Sequence, residues 1–481
     1  MPRSPLDLDH ETMRRLGYLV TDTVAHHLAS LRQQPAYATL DTAAAERLID
    51  RGAPAQGTDF ETLLATLRDR VFPHAAREPH PGFIAYVPSC PTFPAVLGDW
   101  LATGFNFFAG VWPVAAGPNE LELIVLDWFR EWLGMPKGAG GLLTSGGSGA
   151  NLTAMIAARE HVTQGDASLI AKLTVYISNQ AHSSVTRAAW LAGVPRANVR
   201  SLATDGGFRL RMDALHEALA RDRADGFIPL MVVANAGTTN TGSVDPLQDI
   251  ATLCERERLW MHVDAAYGGF AVLTETGRTI LSGIEKADSV TLDPHKWLFV
   301  PFECGCLLAR DPRRLKAAFQ ILPEYLADVQ GGHEVVNFAD YGEQLTRYSR
   351  AVKVWLSVRY FGTDAIGDAI DRGMSLAREL AERIGDLPNF EVLSPARFGI
   401  VCFRARPDSA GDAAELDALN ERILARIVDE GRYFISSTRL RGAFSLRVCI
   451  LGYRTAEEDI DGLIRALATA LREASSPTAA T

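Results

Sequence analysis

The middle of the chain alternates short apolar runs with longer segments in which apolar residues recur at helical spacing. The short runs are rich in β-branched residues, which favours strands, and they cover residues 141–145, 173–178, 229–235, 259–264, 289–293 and 304–309. Helical patterns fill the intervals over residues 148–163, 183–193, 211–222 and 246–258. This alternation predicts a mostly parallel sheet with helices on both faces.

The two ends of the chain follow other patterns. Residues 1 to 85 predict helices whose apolar positions, such as Met13, Leu16 and Leu19, need a surface to pack against. Residues 361 to 481 mix helical patterns with strands, which is typical of a small α+β domain. We therefore predict three parts: a helical arm (1–85), a large domain (86–360) and a small C-terminal domain (361–481).

Composition and charge narrow the classes of function. The chain has 481 residues, of which 47% are hydrophobic and 22% charged, as in soluble globular proteins. A net charge of −10 disfavours nucleic acid as a partner. We expect no membrane association, because no window approaches the roughly 20 apolar residues of a span. Six scattered cysteines without a CxxC pair predict reduced thiols in a cytoplasmic protein and no metal site.

The chemically interesting residues follow predicted strands, and ligands of parallel sheets bind beyond the carboxyl ends of the strands. Lys296 lies in the segment Asp293-Pro294-His295-Lys296-Trp297, directly after the run at 289–293. A lysine at the end of a buried strand is costly unless it is paired or used, and a desolvated amine attacks aldehydes. An equally weighted alternative is a lysine that reaches the surface from the strand end.

Two further segments suit an anionic or aromatic ligand. Asp264 ends the run at 259–264, and a carboxylate there could keep a ring nitrogen protonated or could simply cap a turn. Gly147 and Ser148 lie in the glycine-rich segment 144–151 between a strand and a helix. Backbone N–H groups at a helix N-terminus favour phosphate, although a glycine turn without ligand has a similar sequence. The segment matches neither the dinucleotide nor the Walker fingerprint.

Two strand ends carry weaker signals. His182 could stack on a planar ring, and Thr239 could bond the phenolic oxygen of that ring, although either residue could be purely structural. Taken together, the segments offer partners for a phosphate, a ring face, a pyridine nitrogen and an aldehyde. These are the functional groups of pyridoxal phosphate, which we predict as the cofactor.

With these residues in place, the chain resembles the group II pyridoxal-phosphate decarboxylases, in particular the aromatic L-amino acid decarboxylases. The resemblance runs from about residue 70 to 455, and it rests on the order and spacing of four segments: AHSS (181–184), GTT (237–239), HVDAAY (262–267) and PHKW (294–297). It implies the aspartate-aminotransferase-like fold type I, with a mostly parallel seven-stranded sheet and a small C-terminal α+β domain.

The resemblance also implies roles for individual residues. Lys296 matches the lysine that holds the cofactor as a Schiff base, Asp264 the partner of the pyridine nitrogen and His182 the residue stacked on the ring. Thr239 resembles the residue near the ring oxygen. The residues that resemble phosphate contacts or their neighbours are Gly147, Ser148 and His295.

Other matches concern the substrate. Tyr325 resembles the loop tyrosine that protonates the substrate carbon after carbon dioxide leaves, which related aldehyde synthases replace with phenylalanine. Tyr86, Ser89 and Trp112 resemble residues of the substrate pocket. Asp293 falls where some members carry asparagine at the phosphate site, and because a carboxylate repels phosphate, its contact stays open.

The resemblance predicts decarboxylation of an L-amino acid, most simply an aromatic one of the tyrosine, phenylalanine, DOPA or tryptophan type, to an amine and carbon dioxide. An aldehyde synthase and an aminotransferase of the same fold are the alternatives, because the cofactor performs the chemistry in all three. A non-catalytic binding protein of this fold would lack Lys296, Asp264 or Tyr325, and all three are present. We also expect a homodimer with sites at the subunit interface and a small-molecule substrate.

Overall fold

The computed structural model describes residues 4, 6–49, 51–321, 335–408 and 411–475. The N-terminal part contains three helices: α1 (His10–Ala29), α2 (Thr42–Glu46) and α3 (Phe60–Thr66). Each begins after an aspartate whose side chain accepts a backbone N–H of the first turn, as Asp9 does from Thr12. The apolar positions predicted for this region lie on α1, and no α1 residue is buried within the described chain.

A seven-stranded sheet forms the centre of the molecule. Its strands are β1 (Gly140–Thr144), β2 (Leu173–Ser178), β3 (Val199–Leu202), β4 (Ile228–Asn235), β5 (Trp260–Asp264), β6 (Ser289–Leu292) and β7 (Gly305–Ala309). Their order is β1-β7-β6-β5-β4-β2-β3, and only β7 runs antiparallel to its neighbours. The mostly parallel seven-stranded sheet is thus confirmed. The short edge strand β3 was not predicted, because its sequence VRSL is only partly buried.

Helices cover both faces of this sheet. They are α4 (Phe93–Phe105), α5 (Trp112–Trp132), α6 (Gly147–Thr163), α7 (Ser183–Leu191), α8 (Met212–Ala224), α9 (Leu247–Glu257), α10 (Glu275–Ile280) and α11 (Arg313–Phe319). The buried face of α6 is rich in alanine, which lets this helix approach the strands closely. The first turns of α6 and α7 therefore come to lie at the carboxyl edge of the sheet.

The C-terminal part has a second core around a four-stranded antiparallel sheet. Its elements are α12 (Ala351–Asp386), β8 (Phe390–Val392), β9 (Ile400–Ala405), α13 (Ala413–Asp429), β10 (Ser436–Leu440), β11 (Ala443–Cys449) and α14 (Glu457–Ala474). The strand order is β10-β11-β9-β8. The apolar patterns at 398–405 and 445–450 predict two of these strands, β9 and β11. The strand β8 is too short and β10 (SSTRL) too polar to be recognised from its pattern.

Helix α12 connects the two cores. It packs against α4 and α5 at one end and against β8 and β9 at the other. Gly362 interrupts it with a φ of +77°, next to the predicted boundary between residues 360 and 361. The division into three parts remains a prediction. Within the described ranges, no helix combines the length and the apolar content that crossing a bilayer requires.

Candidate active site

A cavity of about 300 Å³ opens at the carboxyl edge of the large sheet. Its walls come from the segments that follow β1, β2, β4, β5 and β6, together with Glu303 just before the antiparallel strand β7. Seven residues predicted from the sequence line it: Gly147, Ser148, His182, Thr239, Asp264, His295 and Lys296. Residues up to 149 positions apart in sequence therefore face one enclosed space, as the strand-end argument predicted.

The turn between β1 and α6 forms one wall. Thr144 Oγ1 donates to the carbonyl of Gly146 at 3.1 Å, and α6 starts at the next residue, Gly147. The first N–H groups of a helix have no partner within the helix, so they can bind an anion. A side chain at Gly147 would place its Cβ 3.2 Å from both Asp293 Oδ2 and Ala266 Cβ. Glycine keeps this space free, and the turn suits a phosphate.

Lys296 lies in the turn after β6 and meets the same oxygen, Asp293 Oδ2, that approaches Gly147. Its Nζ is 2.9 Å from Asp293 Oδ2, and the side chains of the two residues are 20% and 4% exposed. Asp293 Oδ1 has no hydrogen-bond partner among the described residues. The contact left open by the sequence is therefore an ion pair between Asp293 and the lysine. The pair holds the amine inside the cavity instead of letting it extend into solvent.

His295 adjoins this pair. Its Nδ1 donates to the carbonyl of Cys304 at 2.7 Å, and its Nε2 lies 3.6 Å from Asp293 Oδ2. Burial lowers the pKa of His295, and the negative charge of Asp293 opposes the shift only in part. The imidazole is therefore neutral near pH 7 and ends beside the glycine turn, where Gly146 approaches its Cε1.

Asp264 occupies the last position of β5, opposite Thr291 of β6 in the strand register. Its Oδ2 accepts a hydrogen bond from Asn151 Nδ2 at 3.1 Å, and its Oδ1 accepts the N–H of Ala266 at 3.2 Å. The residue is 8% exposed. Both hydrogen-bond donors to this side chain are neutral, so it remains available to pair with a protonated ring nitrogen.

His182 and Thr239 complete the rim. His182 precedes α7 as its N-cap, and its Nδ1 lies 2.8 Å from Ser184 Oγ. Thr239 follows a turn at Gly237, whose φ of +104° and close approach to Gly268 exclude a side chain. Arg447 of β11 holds this turn, because its Nε donates to the carbonyl of Thr239 at 2.9 Å. The small C-terminal sheet thus supports the cavity of the large one.

The residues predicted to contact substrate lie outside the lining of this cavity. Ser89 is buried, with its Oγ donating to the carbonyl of Val300 at 3.3 Å. Tyr86 is 60% exposed and packs edge-on against Phe434 at 5.7 Å, and the N–H of Trp112 donates to Asn337 Oδ1 at 2.8 Å. Tyr325 is outside the described residues. The substrate roles of these four residues stay predictions.

The structure also brings in residues that the sequence did not single out. Asn151, Ser184, Tyr267 and Glu303 all line the cavity. One signal could have identified Asn151: it is an amide on the buried, otherwise largely apolar face of α6, where a polar group needs partners. Its partners, however, come from strands and loops that the sequence cannot bring together.

The arrangement fits pyridoxal phosphate group by group. The glycine turn offers free N–H groups for the phosphate, Lys296 an amine for the aldehyde and Asp264 a carboxylate for the pyridine nitrogen. A side chain at Gly147 would narrow the cavity. Among the described residues, no cluster of metal-binding side chains competes with this assignment.

Comparisons with known proteins agree with the geometry. The family described as pyridoxal-dependent decarboxylase conserved domain matches residues 43–406. The chain is 38% identical over 456 residues to an aromatic-L-amino-acid decarboxylase of Bacillus atrophaeus, covering 95% of this chain and 94% of that protein. It is 32% identical over 461 residues to a phenylacetaldehyde synthase of Arabidopsis thaliana, covering 94% of each.

Solved structures also share this fold. The crystal structure of Oryza sativa TDC with PLP and tryptamine superimposes with a TM-score of 0.93 at 27% identity, covering 99% of this chain and 100% of that one. Sequence, fold and cavity agree over nearly the whole chain. The chain therefore belongs to the family of pyridoxal-dependent decarboxylases: it is an enzyme that uses pyridoxal phosphate to decarboxylate an amino acid.

Proposed function

We propose that the enzyme decarboxylates an aromatic L-amino acid, of the tyrosine, phenylalanine, DOPA or tryptophan type, to the corresponding amine and carbon dioxide. One observation carries this proposal: Lys296 and Asp264, delivered by the adjacent strands β6 and β5, line the same cavity as the glycine turn. The aromatic side chain of the substrate is proposed from the named activity of the relative that is 38% identical.

Each residue of the cavity has a task in this reaction. Bound pyridoxal phosphate withdraws electrons from the bond between Cα and the carboxylate of an attached amino acid. Lys296 holds the cofactor before substrate arrives and releases the amine afterwards. Asp264 keeps the pyridine nitrogen protonated, which strengthens that withdrawal. The phosphate is held at the turn of Gly147 and Ser148, beside His295.

His182 and the cavity wall act on the substrate. The imidazole stands at the rim, where it can stack on a planar ring and donate a hydrogen bond to the substrate carboxylate. Removal of water from that carboxylate when the substrate fills the cavity would favour its loss as neutral carbon dioxide. Tyr325, which lies outside the described residues, is proposed from the family resemblance to return a proton to Cα.

The main experiment measures release of carbon dioxide and amine from the twenty amino acids and from hydroxylated aromatic ones. We expect the aromatic substrates to react at least about tenfold faster than the others, which corresponds to about 1.4 kcal/mol in the barrier. Carbon dioxide and amine should form in equal amounts without a keto acid. A requirement for a keto acid would show an aminotransferase instead, and preference for an acidic substrate would exclude the aromatic assignment.

The second candidate is an aldehyde synthase, because the phenylacetaldehyde synthase relative covers 94% of this chain. Tyr325 favours simple decarboxylation over this alternative. In air-saturated buffer, where dissolved oxygen is the oxidant and water hydrolyses the imine, we expect Tyr325→Phe to divert product from amine toward aldehyde, with hydrogen peroxide and ammonia detected alongside. An unchanged amine yield in the variant would remove Tyr325 from its proposed role, and aldehyde as the main wild-type product would favour the synthase.

We further propose that the enzyme is a homodimer whose sites lie at the subunit interface. Two features support this: α1 carries apolar residues that the described chain does not fully bury, and several large apolar side chains of α4 and α5 face outward. Phe105 and Val114, for example, are 70% and 61% exposed. Tyr86 and Trp112 could then meet substrate across the interface. A fully active monomer in analytical ultracentrifugation would contradict the proposal.

We propose the cytoplasm as the site of action. All six cysteines are free thiols, and all are buried, as expected for a protein that folds in a reducing compartment. Fractionation of the producing cells followed by activity assay tests this location. Activity in an exported or membrane fraction would argue against it.

A further inference from the structure

Asn151 stands at the centre of a buried hydrogen-bond network behind the cavity. It lies in the second turn of α6 and is 3% exposed. Its Nδ2 is 3.1 Å from Asp264 Oδ2 and 2.9 Å from Ser184 Oγ. Its Oδ1 is 2.7 Å from Thr291 Oγ1 and 2.9 Å from His262 Nε2. A single amide thus connects four segments of the chain, and all of its hydrogen-bonding capacity is used on them.

The orientation of this amide follows from its partners. An ionised carboxylate only accepts hydrogen bonds, so the group facing Asp264 must be the NH₂ of Asn151. A flipped amide would set its carbonyl oxygen against the carboxylate, with no hydrogen between them. The two hydrogens of Nδ2 therefore point to Asp264 and Ser184, and Oδ1 accepts from the other two residues.

The same logic fixes the protons of His262. Because Asn151 Oδ1 only accepts, the hydrogen of the imidazole is on Nε2. The Nδ1 atom then accepts from Ser289 Oγ at 2.7 Å, and this hydroxyl in turn accepts from Trp260 Nε1 at 2.8 Å. Burial lowers the pKa of His262 to about 4, with Asp264 opposing the shift, so the ring is neutral.

On the cavity side, the network reaches His182 through the hydroxyl of Ser184. Ser184 Oγ accepts from Asn151, so its own hydrogen is free to point to His182 Nδ1 at 2.8 Å. The backbone N–H of Ser184 is directed to the same nitrogen at 3.3 Å. Nδ1 is therefore an acceptor, and the neutral imidazole carries its hydrogen on Nε2. That hydrogen is the one a carboxylate on the substrate could accept.

We infer that Asn151 is a positioning residue that couples Asp264 to His182: it donates to the aspartate carboxylate and to Ser184 Oγ, so that the hydroxyl hydrogen of Ser184 points to His182 Nδ1. The inference rests on the proposed function, because the tasks of Asp264 and His182 toward cofactor and substrate are proposals. One amide thereby holds the carboxylate that would face the ring nitrogen and the hydroxyl that supports His182 on the substrate side. Neither residue needs to touch the other for this coupling.

The first test separates positioning from mere packing. Asn151→Ala is compared with Asn198→Ala, a matched variant whose amide donates to the carbonyls of Ala171 and Leu173 away from the cavity. Two properties are measured: the dissociation constant for pyridoxal phosphate, by absorbance titration of the cofactor-free chain, and the ¹⁵N chemical shift of His182 Nδ1, by NMR of ¹⁵N-labelled histidine. The signal of His182 is assigned with His182→Gln.

We expect Asn151→Ala to weaken cofactor binding about tenfold, because a buried carboxylate loses a donor. The ¹⁵N chemical shift of His182 Nδ1 should change, since the Ser184 hydroxyl that donates to it is no longer held by Asn151, whereas the backbone N–H of Ser184 keeps the Nε2–H tautomer. Asn198→Ala should leave both properties at their wild-type values. Equal weakening in both variants, or an unchanged ¹⁵N shift of His182 Nδ1 in Asn151→Ala, would overturn the inference.

A second variant keeps the size of the side chain and replaces the amide NH₂ with an ionisable oxygen. Asn151→Asp puts a carboxyl about 3 Å from Asp264, and two carboxyls that share a site retain one proton to higher pH. Other titratable groups face them: His262 from β5 itself, His182 from α7, and the Lys296–Asp293 pair across the cavity. These are the same in both proteins, so the comparison isolates the introduced carboxyl.

At low pH the shared proton replaces the amide hydrogen, and the variant should bind cofactor within about threefold of wild type. As the pH rises through the raised pKa of the pair, that proton is lost and binding should weaken about tenfold. Wild type should show no such step. Parallel pH profiles for the two proteins would contradict the inference, whereas lack of aromatic decarboxylation by wild type would contradict only the proposed function.

Discussion

Each edge of the large sheet holds a cavity. The larger of the two is not the one lined by the candidate catalytic residues. The cavity at the amino edge of β5 and β6 has about 580 Å³, against about 300 Å³ at the carboxyl edge. Both contain charged side chains and an aromatic residue. At the amino edge, the charged and aromatic side chains include Lys286, Asp288, Arg310, Arg314 and Trp260.

The two cavities differ in whether their polar groups already have hydrogen-bond partners within the protein. At the amino edge, Asp288 Oδ2 accepts the N–H of Met261 at 2.9 Å, and Arg310 Nε donates to the carbonyl of Ala287 at 3.1 Å. Arg314 lies over the ring of Trp260 at 5.3 Å. These side chains satisfy strand ends and each other. They stabilise the fold at a point where the backbone would otherwise lack partners.

At the carboxyl edge, the corresponding groups are left with capacity for a ligand. The first turn of α6 presents N–H groups, Asp293 Oδ1 has no partner in the described part of the chain, and Asp264 accepts only from neutral donors. Parallel strands bring such groups together because every preceding strand ends at this edge and the next helix begins there. Volume and charge alone therefore do not identify the site.

The largest effect on activity is expected when Lys296 is compared with Lys286, a lysine that lines the other cavity. Lys296→Ala removes the amine that holds the cofactor, so we expect release of carbon dioxide to fall by more than about a thousandfold. Lys286→Ala removes an exposed lysine at the other edge and should leave the rate within twofold of wild type. Both rates are measured at saturating cofactor. Borohydride reduction followed by peptide mapping should find the trapped cofactor on Lys296 in wild type and in Lys286→Ala only.

A smaller effect is expected from the two carboxylates. Asp264→Asn cannot keep a ring nitrogen protonated, and we expect kcat/KM for amine formation to fall about a hundredfold, or about 2.7 kcal/mol. Asp288→Asn keeps an acceptor for the N–H of Met261 and should stay within threefold of wild type. Similar losses in the two variants would mean that Asp264 acts through folding alone. Steady-state assays together with thermal unfolding distinguish these outcomes.

The comparison also shows which site residues can be predicted from the sequence alone. The strands that carry the site are apolar, β-rich and followed by distinctive residues, so Lys296, Asp264 and His182 could be placed at one edge before the structure was known. Asn151 could not, because its contacts to Asp264 and Thr291 span 113 and 140 positions of the chain. Such a network depends on side-chain orientation, which periodicity does not determine.

The same limit explains the irregular parts. The strands β3 and β10 carry too few apolar residues for their pattern to show, and they form because a neighbouring strand offers a free edge. The support of the Thr239 turn by Arg447 joins residues 208 positions apart. Local patterns thus predict which elements exist and where their ends carry chemistry. Contacts between distant segments decide how those ends are held.

The smallest effect compares two histidines and concerns stability. Burial lowers the pKa of His262 to about 4 from its ordinary 6.5, so the unfolded chain takes up a proton there that the folded one resists. The stabilisation is complete above pH 6.5 and is lost as the pH falls toward 4, amounting to about 2 kcal/mol between pH 6.5 and 5. His161 at the amino edge is more exposed, and its pKa is lowered by the burial it has and by Arg314. We expect His262→Gln to flatten the pH dependence of the midpoint of unfolding in guanidinium chloride. His161→Gln should leave that dependence nearly as in wild type, because His262 is completely buried and His161 is not.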